Sequence, residues 1–200
     1  MSTISKHPRN QAIYTLTQTI AIKIKEAAVA LKQSGYEAQD ISPEEFSDYM
    51  TGETPTDAII ALADVLANPY LMIREVTEIS ELKKMYVPIA KDTVMSFHPE
   101  AYEAHFTAAE QELDYALNRE DYAWIKARIG LAEFWLEDDL LPKHLKPICR
   151  ALMKKFSEVI GSSSCKARRM NGETDAYVSR ISHWSLLMMP SAFTGSTFKV

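Results

Sequence analysis

Apolar residues recur at intervals of three and four in seven successive stretches of this 200-residue chain. Ile13, Leu16, Ile20, Ile24, Ala27 and Leu31 form the first stripe, and Ile59, Leu62, Ala63 and Leu66 the second. Met72, Val76, Ile79, Leu82 and Tyr86 follow, then Tyr102, Phe106, Ala109, Leu113 and Leu117. Tyr122, Ile125, Ile129, Ala132 and Leu136 make the fifth stripe. Leu145, Ile148, Leu152, Phe156 and Ile160 make the sixth, and Tyr177, Ile181, Trp184 and Met188 the last. Such spacing lines up one face of an α-helix. No alternating apolar and polar run bounded by turn residues interrupts it. The pattern predicts an all-α chain of about eight helices, with the stripes forming core rather than a cofactor box.

The helix starts are legible as well. In Ser42-Pro43-Glu44-Glu45 a hydroxyl can accept from a free backbone N–H, the proline loses no needed donor, and the acids face the positive end of the helix dipole. Thr54-Pro55-Thr56-Asp57 repeats the arrangement. Asn68-Pro69, His98-Pro99-Glu100 and Asn118-Arg119-Glu120-Asp121 are weaker versions, as is Asn171-Gly172-Glu173. Periodicity breaks near residues 86–98 and again at Gly161-Ser162-Ser163-Ser164, which reads as an exposed loop. The first break divides a unit of residues 1–86 from a helical bundle of residues 87–188, and the end from Met189 to Val200, small, polar and without helical pattern, is a tail of residues 189–200. The tail reads either as frayed chain or as a docking segment anchored by Phe193 and Phe198.

With 46% hydrophobic and 24% charged residues, the chain can bury a core without staples. No apolar run of about 18 residues predicts a membrane span, and the first ten residues lack the charged-then-apolar pattern of a secretory signal. The expected setting is the cytoplasm. Cys149 and Cys165 are too few for a disulfide framework or a four-cysteine zinc site. Neighbouring cations would lower the pKa of Cys165.

Charge is sorted along the chain. Residues 1–35 carry a net +4, residues 36–73 a net −8 with no base, residues 98–142 a net −8 and residues 143–200 a net +7, within a total of −5. The basic last stretch either neutralises phosphates or pairs with the acidic middle of the same fold.

Chemistry-bearing motifs are scarce. His7, His98, His105, His144 and His183 form no H-E-x-x-H pattern, and no Glu-x-x-His pair suggests a di-metal bundle. His98 and His105 share a helix face without a third ligand. Glu110/Asp114 and Glu133/Glu137 stand four apart and read as solvated. No nucleophile elbow or phosphate loop is present. The expectation is a non-enzymatic protein with no metal and no cofactor.

One segment has a family likeness. From Ala27 to Tyr70, Leu31 and Gly35 end one helix, and Ser42 starts a short one carrying Phe46 and Tyr49. Gly52 stops that helix, and Pro55 precedes the stripe from Ile59 to Leu66. This unit resembles the Cro/lambda-repressor-like helix-turn-helix family. The resemblance implies that the helix of residues 42–50 lies in a DNA major groove. Phosphate contacts would then come from Lys23, Lys25, Lys32, Ser42, Lys154, Lys155, Arg168 and Arg169. Base reading favours Arg, Lys, Asn or Gln, whereas this helix offers Glu44, Glu45 and Asp48. Three readings therefore stand: a DNA-binding transcriptional regulator, an acidic inhibitor or adaptor presenting Glu44, Glu45, Asp48 and Glu53 to a basic partner, and a purely structural helix-turn-helix. Self-association as a homo-oligomer is expected with either binding role.

Overall fold

Ser42, Asn68 and Asp121 each start a helix in the way their side chains permit. The structure is a computed structural model that describes residues 8–52 and 62–163, with side chains from residues 14–52 and 62–161. The described helices are α1 (Pro8–Gln33), α2 (Pro43–Met50), α3 (Leu62–Ala67), α4 (Pro69–Lys84), α5 (Thr93–Ser96), α6 (His98–Leu117), α7 (Tyr122–Glu137) and α8 (Lys146–Ser163), with a 3-10 turn at Lys143–Leu145. The fold is all-α, and no strand occurs among the described residues.

At α2 the Ser42 Oγ accepts from the Glu45 N–H at 3.1 Å, and Glu45 Oε2 accepts from the Ser42 N–H at 2.8 Å. Two backbone donors that the helix itself cannot use are thereby satisfied. Asn68 Oδ1 accepts from the Tyr70 and Leu71 N–H groups at the start of α4. Asp121 caps α7 through the Trp124 N–H, and its other oxygen accepts from the Tyr70 hydroxyl at 2.9 Å. That bond ties the start of α7 to α4. The start expected at Thr54 lies outside the described residues.

Helices α1, α4 and α6 end on the same pair of backbone bonds, which turns the chain through a left-handed residue. That residue is Gly35 (φ +89°) after α1 but Tyr86 (φ +61°) after α4 and Glu120 (φ +57°) after α6. At the other end of the molecule one expectation is corrected. Residues 161–163 continue α8 instead of forming a loop. An interior glycine weakens a helix by only about 1 kcal/mol relative to alanine. The preceding turns of α8 bury Cys149, Leu152 and Phe156, and that packing carries the helix on.

Helix α4 is the axis of the fold. Every residue from Tyr70 to Ser80 is buried, and so is Leu82. It packs against α6, α1, α3 and α2, while α7 and α8 complete the far side of α6. One apolar cluster runs from Ile20 to Phe156. The division expected at residue 86 falls just after α4, whose largest packing partner, α6, lies beyond it. No described helix is long and apolar enough to cross a membrane.

Candidate functional site

Helix α2 is amphipathic in eight residues. Phe46 and Tyr49, three apart, are buried against the core. Glu44 and Asp48, four apart, occupy the opposite, exposed face. Glu45 lies between the faces and accepts from Lys83 Nζ at 2.7 Å, and the same ammonium reaches the Asp40 carbonyl at 2.6 Å. Burial acts against the Glu45 charge. Hydrogen bonds from Lys83 and the Ser42 backbone outweigh it and hold the carboxyl below its usual range. Asp48 stands 4.0 Å from Lys91 Nζ, with both side chains more than half exposed. Glu44 makes no ion pair among the described residues.

The helix is firmly seated. Tyr49 Oη donates to Glu78 Oε1 at 2.6 Å. A Cβ on Gly52 would lie 2.3 Å from the Lys91 carbonyl oxygen, so only glycine lets the chain leaving α2 pass that loop.

The lysines expected to meet phosphate have varied surroundings. Lys23 pairs with Glu26 at 2.8 Å. Lys25 and Lys32 are exposed, seven residues apart on one face of α1. Lys154 lies 3.9 Å from Glu158. Lys155 bridges to α6, donating to Glu110 at 2.8 Å and Asp114 at 3.1 Å. Those two hydrogen bonds overcome partial burial and raise its pKa. The Ser42 hydroxyl is engaged in capping α2. Glu53, Arg168 and Arg169 lie outside the described residues, as does Cys165. Cys149 packs in the core, where burial pushes its thiol up to about 11.

The structure also brings together a group of buried charges that the apolar periodicity does not mark. Arg74, Glu75 and Glu78 on α4, His105 and Glu112 on α6 and Arg128 on α7 are all buried, none more than 8% exposed. Glu112 accepts from Trp124 Nε1 at 2.7 Å, from Arg128 Nε at 2.8 Å and from Arg128 Nη2 at 3.0 Å. His105 Nδ1 lies 3.1 Å from both Arg74 Nη2 and Glu78 Oε2. Arg74 Nη1 approaches Glu75 at 3.6 Å, beyond hydrogen-bond reach, and among the described residues neither Arg74 Nε nor Glu75 Oε1 has a hydrogen-bond partner. The signal for this cluster is in α4 itself. Tyr70, Leu71, Met72, Ile73, Val76 and Ile79 surround the helix rather than striping it. A helix apolar all round is buried, and its charges go inside with it.

Burial works against the Glu78 charge, yet the His105 ring, the Arg74 guanidinium and the Tyr49 hydroxyl hold it down at about 2. Burial and the Glu78 and Glu112 charges push Glu75 up to about 7, with Arg74 pulling the other way. His105 is lowered by burial and by Arg74.

A void of about 10 Å³ lies between α6, α7 and α8, lined by Glu112, Arg128, Trp135 and Met153 among others. It has room for about one water. No cluster of three or more His, Cys, Asp or Glu residues suited to a metal ion occurs among the described residues. Comparison with protein-family models, curated proteins and solved structures finds no match to this chain.

Proposed function

We propose that this chain is a non-enzymatic regulatory protein that presents the acidic outer face of α2 to a basic protein partner. The carrying observation is the seating of α2. Its apolar residues are committed to the core, while Glu44 and Asp48 point outward on a helix that carries no cation. Lys83 pairs with Glu45 beside this face and Lys91 with Asp48 on it. A fixed row of carboxylates steers a cationic surface toward it and repels nucleic acid.

The test is binding of a fluorescent arginine-rich peptide at moderate salt, followed by anisotropy. Glu44→Lys/Asp48→Lys is expected to weaken binding at least tenfold. Glu133→Lys/Glu137→Lys changes net charge by the same amount on α7 and is expected to leave binding nearly intact. Equal losses in the two variants would show that bulk charge, not α2, attracts the peptide, and would overturn the proposal.

A second reading rests on Lys25 and Lys32, which share an exposed face of α1 without an ion pair among the described residues. Under it the chain is a DNA-binding transcriptional regulator that tracks a phosphate backbone through α1. Retention on a DNA column that falls steeply with salt, and is lost in Lys25→Glu/Lys32→Glu, would favour this reading.

A further inference from the structure

We propose that the buried cluster spanning α4, α6 and α7 is a proton-operated latch, electrically balanced when it holds one proton, whose seat near neutral pH is Glu75. Losing that proton leaves one uncompensated negative charge in the core.

Arg74 and Arg128 are cations, and Glu78 and Glu112 are carboxylates engaged by His105, Tyr49, Trp124 and Arg128. These four charges cancel. Glu75 is the third carboxyl in the same space, and its Oε1 has no hydrogen-bond donor among the described residues. Around it stand Arg74 and Glu78 of its own helix, Glu112 of α6 and Arg128 of α7. Tyr49 of α2 and His105 of α6 reach the cluster through Glu78. Ionised, Glu75 makes the cluster −1. Protonated, it leaves zero, and a protonated His105 would restore zero in its place.

The ring geometry supports this two-seat arrangement. A guanidinium only donates and a carboxylate only accepts. His105 Nδ1, 3.1 Å from one of each, accepts from Arg74 when bare and donates to Glu78 when it carries hydrogen. The ring therefore has a partner in either state. The carboxyl raised to about 7 and the lowered imidazole place the proton on Glu75 near neutral pH.

The signs of the pH effects differ. Glu75 is raised, so its contribution to stability is full below about 4.5 and is lost as pH rises through about 7. His105 is lowered, so its contribution is lost as pH falls below its ordinary value of 6.5. Between these values the two slopes oppose each other, and comparison of variants separates them.

The experiment is urea unfolding of the full chain and of Glu75→Gln at pH 6 and pH 8. The ratio of the folding constants, variant over wild type, is expected to rise about tenfold between the two, because only the wild type surrenders a proton in that interval. An unchanged ratio would overturn the proposal. If the variant does not fold, the wild type answers alone by carbon NMR of its glutamate carboxyls. One carboxyl titrating near pH 7 is expected, and titration of every glutamate below about pH 5.5, within the ordinary range, would overturn it.

Discussion

Glu112 and Glu44 are the same residue type in opposite settings. Glu112 is sealed between α6 and α7 with three donors on its two oxygens, while Glu44 stands in solvent on α2 with no ion pair among the described residues. The first was brought out of water at a cost of several kcal/mol that its partners must offset. The second kept its hydration and is free to act at long range. Charge in this molecule thus has two settings, engaged in the packing of α4, α6 and α7 inside and, in the proposed role, steering a basic partner outside.

Substitutions can sharpen or break that contrast. The largest effect is expected from Arg128→Met, which strands the Glu112 charge in the core. Chemical denaturation should show a loss of about 3–5 kcal/mol. Gly52→Ala comes next. Its Cβ meets the Lys91 backbone at 2.3 Å, and overpacking of this kind costs roughly 1–3 kcal/mol, read as a lower urea midpoint. Ser42→Ala removes the capping box of α2 and should cost about 1 kcal/mol, with peptide binding weakened only as far as α2 frays. The smallest effect on stability belongs to Glu44→Lys/Asp48→Lys, whose unfolding midpoint should stay near that of the wild type while peptide binding falls. A large stability loss there would erase the distinction between inner and outer charge.

The outer part of this account is readable in the sequence. Ser42 and Asn68 announce their helices through local hydrogen bonds, which depend on residues only two or three apart, whereas in Asn118-Arg119-Glu120-Asp121 the first residue ends α6 and the last caps α7. The acids of α2 fall on the face opposite Phe46 and Tyr49 by helical spacing alone. The inner part is less legible, because a stripe with period 3.6 assigns Arg74 and Glu78 to a solvated face and makes Glu75 a lone acid within the apolar one. Only the neighbours of α4 in space bury that face. Lys155 illustrates the same limit. Its partners Glu110 and Asp114 lie more than 40 residues away along the chain, and no local pattern encodes such a meeting. The extension of α8 through residues 161–163 also escaped local reading, since small and polar residues mark turns only where packing does not hold the helix.

The most direct test of the division is one chemical change made in both places. Glu112→Gln and Glu44→Gln each replace a carboxylate by its neutral isostere and alter net charge equally. Side-by-side urea unfolding at neutral pH should show several kcal/mol lost for Glu112→Gln, whose buried Arg128 loses the carboxylate that engages its Nε and Nη2, and an unmoved midpoint for Glu44→Gln. Equal, small shifts in both variants would contradict the claim that the buried network holds the bundle together.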